Sequence, residues 1–93
     1  MELQGTIKKI GETEVLGAKN FKKRELIIII GGDYPQTIMI EFVQDKCDLL
    51  NLFAEGQEVT IGINLRGKEW LNDKGESKCF NSIQGWKIGL TQL

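Results

Sequence analysis

The chain has 93 residues, with 12 Lys and Arg against 13 Asp and Glu and no histidine. That length suits one domain, residues 1–93, with a modest core. The missing histidine removes the commonest general base and metal ligand, and the near-neutral balance counts against a uniformly basic nucleic-acid protein while leaving open how the charge is distributed.

No apolar run approaches the roughly 18 residues of a membrane helix. Met1 to Gly5 offers no basic stretch followed by an apolar one, so no secretory leader is visible and a cytoplasmic setting is expected. Two cysteines, Cys47 and Cys79, without histidine cannot complete the usual four-ligand zinc site. A disulfide is conceivable, but two reduced, semi-buried small hydrophobes are the expectation.

The first strand runs Leu3 to Ile10. Leu3, Gly5 and Ile7 alternate onto one face, and Ile10 falls out of register, which marks a bulge or the strand end. Gly11 to Phe21 reads as a connecting loop with Val15 and Leu16 tucked beneath it. The second strand, Lys22 to Ile30, opens on Lys22, Lys23 and Arg24 and ends in Leu26-Ile27-Ile28-Ile29-Ile30, apolar on both faces. β-branched isoleucine suits a pleated surface. One side of that run belongs in a core, and the other calls for a cover.

A Gly31-Gly32-Asp33-Tyr34-Pro35 turn leads into the third strand, Thr37 to Phe42, with Ile38, Ile40 and Phe42 on one side. Asp45 to Gly56 is the one helical segment. Asp45 is a good N-cap, Asp48 adds negative charge in the first turn, Leu49, Leu50, Leu52 and Phe53 are spaced for one face, and Gly56 suits the residue beyond the end. The fourth strand, Glu58 to Arg66, alternates Val59, Ile61, Ile63 and Leu65 against polar neighbours. Asn72-Asp73-Lys74-Gly75 turns the chain into a fifth strand, Cys79 to Ile88, where the conflicting parity of Ile83 and Ile88 predicts a bulge near Gly85. Gly89 to Leu93 reads as a frayed tail.

This order, three strands, a short helix and two strands, resembles an all-β, five-stranded Greek-key OB-fold barrel with the helix between strands 3 and 4. The stretch Gly56-Gln57-Glu58-Val59-Thr60-Ile61-Gly62-Ile63-Asn64-Leu65-Arg66, followed by Trp70, Asn72, Gly75 and Phe80 to Ile88, is similar to the second half of bacterial single-stranded-DNA-binding proteins. With Phe42-x-x-Asp45-Lys46 and the closing Gly85-Trp86-Lys87-Ile88, the chain resembles more closely a bacterial family of compact, uncharacterised OB-fold proteins akin to them. The long tail with an acidic tip that ends the single-stranded-DNA-binding proteins has no counterpart up to Leu93.

Single-strand binding requires cations for the phosphates and aromatic faces for the bases. Two groups qualify. Lys22, Lys23 and Arg24 follow Phe21; Arg66, Lys68, Lys74 and Lys78 surround Trp70 and Phe80 on the second hairpin. The OB-fold resemblance puts both groups at the binding face, which strands 2 and 3 form with the loops joining strands 1–2 and 4–5. Trp86 reads as core or interface, Tyr34 as a lesser candidate, and Phe42 and Phe53 as core. Glu12 with Glu14, and Asp45 with Asp48, are carboxylate pairs explained by a polar loop and by helix capping. No phosphate-binding glycine motif is present, so neither catalysis, a cofactor, a metal nor a small-molecule substrate is expected.

The expected function is therefore non-catalytic binding of single-stranded nucleic acid, DNA ahead of RNA, with little sequence preference, by a homodimer or homotetramer. The alternative is the same barrel as a protein-interaction or assembly module. Glu25, Glu41 and Glu69, near the proposed face, weigh against the first reading.

Overall fold

Alternating isoleucines, leucines and valines build the barrel. A computed structural model describes residues 1–91 as β1 (Glu2–Ile10), β2 (Glu14–Leu16), β3 (Phe21–Ile30), β4 (Gln36–Val43), a 3₁₀ helix (Gln44–Leu52), β5 (Glu58–Leu71) and β6 (Ser77–Leu90). The sheet order is β1-β5-β6-β4-β3-β2, and β1 also pairs with β3. Five strands thus close on themselves as the OB-fold's Greek-key barrel. The seam between β4 and β6 is a parallel pairing at Glu41 and Gln84. No helix among the described residues is long and apolar enough to cross a membrane.

Within the five barrel strands, one side chain in two points inward, as the period of a pleated strand requires. Ile7, Leu26, Ile28, Ile40, Phe42, Val59, Ile61 and Ile63 fill the barrel, and Leu50 of the 3₁₀ helix closes one end. Gly85 exists for this packing: a Cβ built there would stand 2.5 Å from Cζ of Phe42. Ile27 and Ile29, on the outer side of β3, are only half-buried, beside Lys9 and Thr6 of β1.

The bulges lie close to their expected places. Lys8 is the extra residue of β1, between Ile7 paired with Ile28 and Lys9 paired with Ile27. In β6, Trp86 is the extra residue between Gly85 and Lys87.

Several expectations need correction. The Gly11–Phe21 loop contains β2, which pairs with Phe21, Lys22 and Lys23, and Val15 and Leu16 are exposed rather than tucked in. A three-residue edge strand without alternation leaves no periodic signal. The helix is 3₁₀ and starts at Gln44, capped by Val43 without a side-chain bond, so Asp45 lies inside the first turn. Gln44, at φ 53°, turns the chain one residue earlier than expected. Phe53 ends the helix with an N–H bond to Leu50 O, and Gly56, at φ 90°, instead donates to Ile7 O at 2.8 Å. The last two strands exceed their sequence limits, because pairing continues past the buried part to Leu71 and Ser77. The side chain of Asn72 fixes the turn, its Oδ1 accepting from the N–H groups of Lys74 and Glu76, both at 2.9 Å. Nor does the chain fray at Gly89: Gly89 and Leu90 pair with β5, and Thr91 donates its N–H to Glu58 O. Gln92 and Leu93, the end of the expected tail, lie outside the described residues.

Candidate nucleic-acid interface

The outer face of β3 and β4 is the surface an OB-fold ordinarily offers. Lys23, Glu25, Ile27 and Ile29 project from β3 there, opposite Val43, Glu41, Met39 and Thr37. Glu25 therefore faces Glu41 directly, an unfavourable like-charge pair. Lys23 is drawn to Glu41, with Nζ 3.7 Å from Oε1. A groove of about 470 Å³ on this side holds Glu12, Glu14 and Glu25 against Lys9 and Lys23, over Ile27 and Met39. Its carboxylates outnumber its cations, and that balance repels a phosphate chain.

The first sequence group is dispersed by this arrangement. Arg24 shares the inward parity of Leu26 and Ile28 and binds the barrel's end together. Its Nε donates to Gly11 O at 2.7 Å, and its Nη1 donates to Asn51 Oδ1 at 2.8 Å and Cys47 O at 3.2 Å. Those bonds tie β3 to the end of β1 and to the 3₁₀ helix. Lys22 remains exposed, its backbone N–H directed at Gln44 Oε1. Phe21, 38% exposed, pairs across the strands with Leu16. Tyr34 stands in solvent at the β3–β4 turn.

The second group is brought together. Beyond Ile63 the paired β5 and β6 leave the barrel as a two-stranded arm, exposed on both sides except at its base, where Ser82, Ile83 and Gln84 are half-buried. Directly opposed residues of antiparallel strands share a face, so the register assigns each side chain. The inward parity continues as Leu65, Gly67, Glu69 and Leu71, opposite Ile83, Asn81, Cys79 and Ser77. The outer face carries Asn64, Arg66, Lys68 and Trp70, opposite Gln84, Ser82, Phe80 and Lys78. Lys68 thus sits across from Phe80, and Trp70 across from Lys78: cations occupy one diagonal and aromatics the other. Trp70 is 60% exposed and Phe80 57%. Arg66 Nε donates to Gln84 Oε1 at 3.2 Å, which holds the guanidinium along the strands. Lys74 is exposed in the turn at the tip. Glu69 points to the opposite face, so no carboxylate projects from the outer face of the arm. At its base, Arg66, Lys68, Phe80 and Gln84 adjoin Glu41 around a cavity of about 420 Å³.

A family model, the domain of unknown function DUF3127, matches residues 2–89. The chain belongs to the DUF3127 family. No curated protein matches it. Among solved structures it is similar to the mitochondrial single-stranded DNA binding protein Rim1 of S. cerevisiae, at 16% identity and a TM-score of 0.69, covering 97% of this chain and 91% of that one. It is also similar to the single-stranded DNA binding protein of Thermus aquaticus, at 15% identity and a TM-score of 0.70, covering 98% of this chain and 49% of that one. The DUF3127 chain thus spans about half the length of the Thermus protein. These likenesses establish that it has the OB-fold.

Two features of this DUF3127 chain were not visible in its sequence. Trp86 is not core: it is 47% exposed, and its indole covers Gly62 on the outer side of β5. The cysteines differ from each other. Cys47 is buried, its Sγ 3.2 Å from Phe42 O, whereas Cys79 is exposed on the arm rather than semi-buried, and both are free. Burial, followed by the charge of Asp48, pushes the Cys47 thiol pKa up, with Arg24 opposing the shift. No cluster of three or more potential metal ligands occurs among the described residues.

Proposed function

We propose that this protein binds single-stranded DNA, without catalysis and with little sequence preference, along the outer face of the β5–β6 arm. The observation that carries this reading is the Lys68–Phe80 and Trp70–Lys78 arrangement, with Glu69 on the reverse of the arm and Glu41 adjoining only its base. Trp70 and Phe80 stack bases, which demands unpaired bases. Arg66, Lys68, Lys74 and Lys78 hold phosphates. Four such contacts give a log–log salt slope of about −2.8, at roughly −0.7 per contact. Every base has a π-face, so such a surface is tolerant of sequence. The likeness in fold to two single-stranded DNA binding proteins supports DNA as the ligand.

The test is tryptophan fluorescence during titration with an oligothymidine of about 30 nucleotides, longer than the roughly 4–16 an OB-fold engages. Quenching at low salt, its reversal by added salt, its reduction in Trp70→Ala and weaker binding in Lys68→Ala are expected. Absence of quenching even at low salt would remove the nucleic-acid reading and leave the fold untouched.

A second reading, assembly into a homodimer or homotetramer, is favoured by the other face of the arm. Leu65 and Leu71 are exposed there, and Leu65 and Ile83 line a cavity of about 350 Å³ with Met39. Exposed apolar surface of this kind marks interaction sites. The two readings use opposite sides of one ribbon and are compatible. Light scattering on Leu65→Lys, with loss of the larger species expected, tests this one.

A further inference from the structure

We infer that Trp86 is a third base-stacking platform, which carries the single-stranded DNA track from the arm down onto the barrel wall. This rests on the reading of the arm's outer face given above.

The parity of β5 places Gly62, Asn64, Arg66, Lys68 and Trp70 on one side, because Ile61 and Ile63 are buried in the core. Trp86 is the extra residue of the β6 bulge, and bulges redirect side chains. Its indole edge covers Gly62: a Cβ built on Gly62 would stand 2.9 Å from Cε2, 3.0 Å from Cζ2 and 3.2 Å from Nε1 of Trp86. The absent side chain therefore admits the ring to the same face as Trp70. The ring is held along that edge, and the residue remains 47% exposed.

From Gly62 to Trp70 the strand advances eight residues, about 27 Å at the usual rise. Aromatic groups mark the root and the tip of this face, with Phe80 near the tip. Between them stand Arg66 and the amides of Asn64 and Gln84, which offer hydrogen bonds to phosphates and base edges. Lys87, exposed and paired with Gly62, adds a cation beside Trp86. Glu2 of β1 pairs with Gly62 from the other side. Glu41 of β4 pairs with Gln84, so the phosphates pass between the two carboxylates, over Lys87 and Arg66. A track bounded by Trp86 and Trp70, with cations at both ends, fits an extended polyanion with unpaired bases.

Covering a strand glycine with an aromatic ring is also a purely structural device, so the test reads the ligand at Trp86 itself. Two proteins with one tryptophan each are compared: Trp70→Phe, which reports from Trp86 and keeps an aromatic ring at 70, and Trp86→Phe, which reports from Trp70. Both are titrated with an oligothymidine of about 30 nucleotides, in excess of an OB-fold site. Quenching in both proteins over the same DNA concentrations is expected, with affinity about tenfold lower in Trp86→Ala. Quenching in Trp86→Phe but none in Trp70→Phe would overturn the role of Trp86 while the arm's function stands. No quenching in either would overturn both. Trp86 emission that changes with protein dilution, and not with DNA, would make that ring a subunit contact and overturn the inference. Because Trp70→Phe leaves Trp86 over Gly62, the readout does not depend on the stability of Trp86→Ala.

Discussion

Two exposed sheet faces of this molecule carry opposite electrostatic instructions. On the outer side of β3 and β4, Glu25 confronts Glu41, Lys23 is engaged by Glu41, and Glu12 and Glu14 rim the neighbouring groove. On the outer side of the arm, Arg66, Lys68 and Lys78 project with Trp70 and Phe80, and the carboxylate of Glu69 lies on the reverse. Both surfaces come from one barrel in a chain of net charge −1. A polyanion is expected to respond to the sign of one face rather than to the sum over the chain.

The sharpest way to break the comparison is to give the arm the charge of the other face. Lys68→Glu combined with Lys78→Glu is expected to weaken single-stranded DNA binding about 100-fold at low salt and to flatten the salt slope by about 1.4, the share of two phosphate contacts. Fluorescence anisotropy with a labelled oligothymidine measures both quantities. An unchanged slope would mean that the phosphates run elsewhere.

Arg24 sharpens the contrast from the other side. If its guanidinium is a structural tie and not a phosphate clamp, Arg24→Ala leaves Gly11 O, Cys47 O and Asn51 Oδ1 without their partner. The expected cost is about 2–3 kcal/mol of stability in urea denaturation, with DNA affinity kept within about twofold. Lost affinity at full stability would return Arg24 to the binding surface. Gly85→Ala tests the barrel alone. The added methyl would collide with the ring of Phe42, at an expected cost of about 1–2 kcal/mol and with no effect on DNA binding well below the melting temperature.

What the sequence disclosed follows from the range of the interactions involved. Val59, Ile61 and Ile63 announce β5 because alternation is local, and the parity conflict between Ile83 and Ile88 announces the β6 bulge for the same reason. The bonds of Arg24 are not local: Gly11, Cys47 and Asn51 lie 13, 23 and 27 residues away. A cationic run at a strand start therefore reads as a clamp until the fold shows what it grips. The arm lies between these cases. Its cations and aromatics are obvious in the sequence, but their sorting onto one face, with Glu69 on the other, depends on the register across the hairpin. Trp86 was hidden in the same way, since an indole over a glycine on the neighbouring strand leaves no periodic trace.

The smallest expected effect separates the two faces most directly. Glu25→Gln removes one charge from the pair that Glu25 forms with Glu41 across β3 and β4. Relief of a cross-strand like-charge pair is worth about 0.2–1 kcal/mol, so the variant is expected to be slightly more stable, with the gain shrinking as salt rises. Calorimetry at two ionic strengths measures that gain. Affinity for DNA is the more informative quantity. If the strand follows the arm, Glu25 lies two strands from Gln84, about 10 Å away across Glu41 and close to a Debye length, and its neutralisation changes affinity by less than about threefold. If the strand instead crosses β3 and β4, the same substitution removes a carboxylate from beneath the phosphates, and affinity rises by about tenfold or more. One neutral substitution thus reports which face the polyanion follows without altering a residue assigned to hold it.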